Sequence, residues 1–366
     1  MTPPGGGILP AFDRRLNVTT NPLPAWSPPG PSDVPSPSEP PAGPDRLESI
    51  RRPVQADLAA VDARILENLD SKVPLIRETG EYLISQGGKR LRPLLALLAA
   101  RAFGYEGRAH VDAAVVIEFI HTATLLHDDV VDRSTMRRGR ETANSIWGDE
   151  VSVLVGDFLF SRAFQLMVGM GSLPIMRIMA DATNVIAEGE VLQLANRHDP
   201  DTTEERYLEV VGCKTGKLFE AAARVGTVLA SQGATDERRM AAFGASLGTA
   251  YQLVDDVLDY RGTTAAIGKN IGDDLADGQP TLPLIHAMRV GNEETARTVS
   301  DAIRTGDMEQ LPRLIEAVES AGGIEYTVDS ARDYVQCARE SLRDVPDTRF
   351  RDALASFAEF VIERTY

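Results

Sequence analysis

The sequence predicts an all-α protein, a single-domain multi-helix bundle around a central apolar cavity. Apolar residues recur at helical spacing from about residue 50 onward, as in Leu83-Ile84, Leu91, Leu94-Leu95 and Leu97-Leu98, then Val111, Val115-Val116 and Phe119-Ile120. Strand-like alternation is scarce. Gly and Pro punctuation separates the segments at Gly87-Gly88, Gly104, Gly139, Gly169 to Pro174, Asp199-Pro200, Gly233, Gly262 to Gly272, Gly278 to Pro283 and Gly322-Gly323. The runs Val151 to Leu159 and Leu218 to Ala230 are apolar nearly all round, which predicts helices buried on several sides and hence a layered bundle.

Residues 1–45 are set apart by composition, holding 13 of the 22 prolines. They predict a disordered or polyproline-like leader ahead of a helical domain over 46–366. An uninvolved tail, an over-long reading-frame start and a partner-recruiting segment all remain open for it. The formal charge of −16 argues against a broad nucleic-acid surface. Cys213 and Cys337 are the only cysteines and have no metal or redox spacing, so the expectation is a reduced cytoplasmic protein without a disulfide. No run of eighteen uncharged apolar residues is present, and the N-terminus lacks a signal-peptide layout. A soluble protein is expected, although its product need not be.

Within the helical region one acidic pattern occurs twice. Asp128-Asp129-Val130-Val131-Asp132 and Asp255-Asp256-Val257-Leu258-Asp259 are each embedded in apolar sequence. On a helix, residues four apart share a face, so Asp128 faces Asp132 and Asp255 faces Asp259. Like charges there cost about 0.2–0.5 kcal/mol per exposed pair, and more where apolar neighbours exclude water. Something positive must offset that cost. Six carboxylates form a hard oxygen ligand set suited to magnesium that keeps several waters and shares its other positions with phosphate oxygens. Two solvated acidic faces are the bland alternative, which the repetition with the same apolar flanks disfavours.

Cations lie near these clusters in sequence. Lys89-Arg90-Leu91-Arg92 follows Gly87-Gly88 and precedes Pro93, in a turn and the first turn of a helix, where backbone N–H groups favour anions. Arg137-Arg138-Gly139-Arg140 follows Asp132 closely. These arginines either neutralise the aspartates as salt bridges or, with magnesium, make a diphosphate clamp, which accounts for both signs of charge. His121, two turns before Asp128, is a candidate anion contact, whereas His127 points to another side and reads as structural. Taken alone, Lys214-Thr215, Gln252 and Lys269 are ordinary residues.

Together these segments resemble the trans-type polyprenyl diphosphate synthases. The resemblance rests on Gly87-Gly88-Lys89-Arg90-Leu91-Arg92-Pro93, on His121 through Asp132 to Arg137-Arg138-Gly139, and on Gly156-Asp157, Lys214-Thr215, Gln252 through Asp259, Lys269 and Thr281-Leu282-Pro283-Leu284. It runs from about residue 50 to the C-terminus. Glu118 to Leu126, Ala187 to Leu194 and Gly268 to Leu275 look like the bacterial octaprenyl diphosphate synthases in particular. The implied fold is an isoprenoid-synthase-type bundle.

The resemblance implies residue roles. Asp128, Asp129, Asp132, Asp255, Asp256 and Asp259 would bind magnesium, about three ions per site, bridging to the diphosphate of an allylic substrate. Arg137, Lys214 and Lys269 would hold that diphosphate. Lys89, Arg92, His121 and Arg138 would hold isopentenyl diphosphate, and Thr215 and Gln252 would place oxygen dipoles near the allylic carbon. The implied reaction ionises the allylic diphosphate in a dry cavity, after which the double bond of isopentenyl diphosphate attacks the cation and a proton leaves. No protein nucleophile is required.

Product length would depend on what blocks an apolar tunnel below the first cluster. Ala123 and Thr124 are small, where short-chain relatives carry aromatics, and Met167 and Met179 would form a deeper floor or merely fill the core. The expected product is an all-trans diphosphate of about C40 built from farnesyl diphosphate for a ubiquinone or menaquinone side chain, with C20 or C45–C50 as alternatives. Gln279 stands where the family usually has lysine, so one cation near the leaving diphosphate is missing and weaker binding is expected. A terpene cyclase is disfavoured by the intact second cluster and the Lys89/Arg92 site, and a head-to-head condensing enzyme by its different acidic motifs. A non-catalytic partner subunit would have lost these residues. The family further implies a homodimer, without nucleic acid, that delivers its product to a membrane from the cytoplasmic side.

Overall fold

The computed structural model describes residues 44–85, 88–137, 139–261 and 272–364. The proline-rich segment lies outside them up to residue 43, as do Arg138 and Lys269. The compact unit spans Pro41–Tyr366. Its described part is helical apart from one small hairpin, in agreement with the expected all-α class.

Three N-terminal helices, α1 (Pro44–Arg51), α2 (Gln55–Leu69) and α3 (Pro74–Ser85), precede α4 (Leu91–Ala102) and the long α5 (Ala109–Val131). Strands β1 (Met136–Arg137) and β2 (Arg140–Glu141) pair antiparallel just beyond α5. Then come α6 (Ala143–Trp147), α7 (Asp149–Met170), α8 (Leu173–Asn196) and α9 (Glu204–Val211). A single π-helical turn, Gly212–Gly216, joins α9 to α10 (Lys217–Leu229), and α11 (Ala234–Arg261) follows. The C-terminal part comprises α12 (Asp273–Ala276), α13 (Leu282–Val290), α14 (Glu293–Thr305), α15 (Leu311–Ser320), α16 (Gly323–Ser341) and α17 (Arg349–Glu363).

The interior is built on α4, α5, α10 and α11. Helix α4 is apolar on all sides and buried from Pro93 to Ala100. It packs between α5, α10 and α17. Helix α10 is buried almost all round, as the run from Leu218 predicts. Glycines bring α10 and α11 close. A Cβ on Gly244 would lie 2.4 Å from the Phe219 carbonyl oxygen, and one on Gly248 would lie 2.8 Å from the Gly216 Cα. A smaller apolar cluster gathers the end of α11 with α12 to α16 around Val257, Leu284, Val299, Leu314 and Ile324.

Helix α7 departs from expectation. Its run from Val151 to Leu159 is not buried on several sides, because Leu154 is 65% exposed, as Val168 is to 64%, with Val153 and Phe164 beside them. Its cover comes mainly from α5, over the face that includes Ser152, Val155, Gly156 and Leu159. Apolar composition fixed that the face seeks cover without saying what covers it.

Candidate active site

Both acidic clusters lie at helix C-termini, where the last carbonyl groups already concentrate negative charge. Asp128 and Asp129 occupy the final turn of α5 with Asp132 as its C-cap, and Asp255, Asp256 and Asp259 lie in the last two turns of α11. Like charges on an electronegative helix end require cations, and the fold brings them from distant segments.

Each carboxylate of the first cluster has its own cation. The Lys214 ammonium lies 3.3 Å from Asp128 Oδ2, and Arg137 on β1 donates from Nε to Asp129 Oδ1 at 2.8 Å. Asp132 pairs with Arg197, the residue capping α8. Lys214 also donates to Glu190 Oε2 at 2.6 Å and to Gln193 Oε1 at 2.7 Å. Burial opposes the charge on Lys214, but the fields of Asp128 and then Glu190 outweigh it and raise its pKa. Burial pushes the Glu190 carboxyl up to about 7, Asp128 adds to that, and Lys214 opposes it.

Lys214 and Thr215 sit in the π-helical turn, a local widening of the helix that recurs at functional sites. Thr215 Oγ1 donates to Gln252 Oε1 at 2.9 Å, and Gln252 Nε2 donates to Asp256 Oδ1 at 2.8 Å. Tyr207 donates its hydroxyl to the other Asp256 oxygen. One connected path therefore runs from Asp128 through Lys214-Thr215 and Gln252 to Asp256, linking the two clusters across 127 residues of sequence.

The second cluster is arranged differently. Asp256 is 2% exposed, and burial, with Asp274 adding to it, holds its pKa well above the ordinary carboxylate range. Asp259 is also buried. Asp255 alone is open, and Arg364 donates to its Oδ1 at 2.7 Å while lying 4.3 Å over the Tyr251 ring. Both Asp256 oxygens accept from protein donors, and Asp256 thereby orients the Gln252 amide. Among the described residues no three potential ligands converge into a ready-made metal cage. The carboxylate oxygens of the clusters are of the hard donor type that magnesium takes, one or two at a time, with water and phosphate oxygens completing its shell.

A separate basic group forms at the start of α4. Arg92 Nη1 and His121 Nε2 are 3.1 Å apart, and the Arg92 guanidinium lies 4.5 Å over the Phe219 ring. Lys89 is exposed, 5.8 Å from the Phe360 ring centre. Arg90 adopts a left-handed backbone conformation at φ 46° and turns away, donating to Glu118 Oε1 at 2.5 Å. Arg90 thus turns its charge to Glu118, while Arg92 lies beside His121.

A family model described as polyprenyl synthetase matches residues 73–319. The octaprenyl diphosphate synthase of Escherichia coli (strain K12) is 51% identical over 319 residues, covering 87% of this chain and 99% of that relative. The chain belongs to the polyprenyl synthetase family. Among solved structures, a polyprenyl synthase from Caulobacter crescentus CB15, complexed with calcium and isoprenyl diphosphate, is 42% identical with a TM-score of 0.85, covering 87% of this chain and 98% of its own. A decaprenyl diphosphate synthase from Rhodobacter capsulatus is 44% identical with a TM-score of 0.83, covering 87% and 99%. This polyprenyl synthetase is a chain-elongating trans-prenyltransferase that makes a long polyprenyl diphosphate.

In this polyprenyl synthetase the fold brings together candidate site residues that the sequence had marked, Lys214 with Asp128, Thr215 with Gln252 and Arg92 with His121. His127 is structural as expected. Its Nε2 lies 3.2 Å from the Val153 carbonyl oxygen and its ring stacks on Phe160, a fit that requires Gly156, where a Cβ would come within 2.3 Å of the imidazole. Ala123, Met167 and Met179 are buried in the main core, while half-buried Thr124 donates to the His121 carbonyl at 2.8 Å. Glu190, Gln193, Arg197, Tyr207, Asp274 and Arg364 were missed. Glu190, Gln193 and Arg197 carried a signal, since their three- and four-residue spacing sets them on one face at the end of α8.

Proposed function

We propose that the chain condenses farnesyl diphosphate with successive isopentenyl diphosphates, in a magnesium-dependent reaction, to an all-trans diphosphate of about C40 destined for a quinone side chain. The observation that carries this reading is the connected path Asp128–Lys214-Thr215–Gln252–Asp256, which couples diphosphate-binding charge to two neutral oxygen groups. Asp128, Asp129, Asp132 and Asp255 would hold magnesium, which supplies electrostatic stabilisation of the departing diphosphate. Lys214 and Arg137 bind the same diphosphate. Thr215 and Gln252 face the allylic carbon with oxygen dipoles that steady positive charge. Lys89, Arg92 and His121 hold isopentenyl diphosphate, and the proton lost after attack goes to the released diphosphate.

Small Ala123 and Thr124 leave the growing chain unblocked next to the first cluster, and Met167 with Met179 forms the floor. A C40 product is supported by the 51% identity to the Escherichia coli octaprenyl relative, and the decaprenyl relative marks the upper alternative. The exposed α7 face of Val153, Leu154, Phe164 and Val168 supports a homodimer with a second copy as its cover. We place the enzyme in the cytoplasm, peripheral to the membrane that receives its product.

The test is incubation with farnesyl diphosphate, labelled isopentenyl diphosphate and magnesium, followed by product sizing. A band at about C40 is expected. No elongation would end the catalytic reading, and a product of C20 or shorter would end the tunnel argument.

A further inference from the structure

Arg197 has no place in the roles assigned above. It caps α8, and its Nη2 donates to Asp132. Its side chain is 16% exposed, and its Nε is buried without a hydrogen-bond partner, so the guanidinium holds donor capacity that Asp132 does not use.

The surroundings of Arg197 are fixed by a second segment. The His198 N–H donates to the Gly278 carbonyl at 2.8 Å, and the His198 ring packs so closely that a Cβ on Gly278 would fall 2.1 Å from Nδ1. The end of α8 is thereby tied to the turn carrying Gln279. Gln279 Oε1 accepts from Gln193 Nε2 at 2.6 Å, and Gln193 Oε1 accepts from Lys214. Gln193 precedes Arg197 by four residues on the same helix and so shares its face. Gln193 thus bonds Gln279 and Lys214 and lies one turn before Arg197, and of positions 197 and 279 only 197 carries charge.

We propose that Arg197 is a further substrate-binding residue, the cation that grips the allylic diphosphate on the side of the first cluster where Gln279 supplies none. The proposal rests on the elongation reading above. Asp132, its resting partner, is among the carboxylates assigned to magnesium, and a guanidinium fork matches two phosphate oxygens at once. A purely structural Arg197 would instead do no more than neutralise Asp132.

Steady-state kinetics on the full chain separate the two. Arg197→Gln is expected to raise KM for farnesyl diphosphate about tenfold, with KM for isopentenyl diphosphate unchanged within about twofold, and Arg197→Lys to fall between. Gln279→Lys added to Arg197→Gln returns the cation from the neighbouring segment and should recover most of the loss. Calorimetry with inorganic diphosphate, which involves no turnover, should rank the variants in the same order. An unmoved allylic KM, an equal rise for both substrates, or no recovery with Gln279→Lys would overturn the proposal. Should Arg197→Gln fail to fold, Gln279→Lys in the otherwise native chain must tighten inorganic diphosphate, and unchanged affinity there overturns it equally. Elongation by the native protein in the same assay tests the functional reading independently.

Discussion

The two acidic clusters are alike in sequence and unlike in structure. At the end of α5 every carboxylate meets a cation: Asp128 meets Lys214, Asp129 meets Arg137 and Asp132 meets Arg197. At the end of α11 Asp255 meets Arg364, while Asp256 is buried between the neutral donors Tyr207 and Gln252. A repeated pattern thus divides its labour. On the proposed function, the first cluster would act as a clamp whose balancing cations turn to a diphosphate, while Asp256 in the second holds Gln252 from the buried side.

Substitutions at equivalent positions should behave oppositely if this contrast is right. Asp128→Ala should lower elongation by about 10²–10³-fold or more, the scale of losing a preorganised electrostatic group. It should leave the fold intact with the melting temperature little changed, because Lys214 keeps Glu190 as an ion-pair partner. Rates and melts of purified protein check both. Asp256→Ala should instead destabilise the protein by about 2–4 kcal/mol, since Tyr207 and Gln252 would each lose an acceptor in a buried site. Urea unfolding measures it, and a fully stable Asp256→Ala would break the scaffold half of the contrast.

Smaller effects sharpen it. The Glu190 pKa is raised from 4.5 to about 7, so between those values the folded state binds the proton that the unfolded state has released. Stability from this group is therefore present at low pH and lost as pH rises through about 7. In chelator-treated protein the melting temperature should fall from pH 5 to pH 8, and Glu190→Gln should flatten that slope. Smallest in rate but visible in product, Met167→Ala or Met179→Ala should lengthen the chain by one or two isoprene units, and Ala123→Phe should shorten it. Sizing of labelled products reads both.

Much of this was legible in the sequence. Helical spacing marked α4 and α5 because their apolar residues recur locally, the apolar run from Leu218 marked α10, and the acidic clusters stood out because each is contiguous. The partners of the aspartates were harder to see. Arg197, Tyr207 and Arg364 lie 65, 49 and 109 residues from the aspartates they touch, and only tertiary packing makes them neighbours. Asp256 could not be told from Asp129 by pattern, since the difference is which helix covers it. The outer face of α7 read as core because apolar composition is the same whether a helix meets its own chain or another.

Calorimetric titration of the native protein, Asp128→Ala and Asp256→Asn with farnesyl diphosphate in the presence of magnesium tests the division most directly. Asn can accept from Gln252 while donating to Tyr207, so the scaffold survives in that variant. Binding is expected to be lost in Asp128→Ala and retained within about threefold in Asp256→Asn. Equal loss in both would show two equivalent metal-binding clusters and contradict the account.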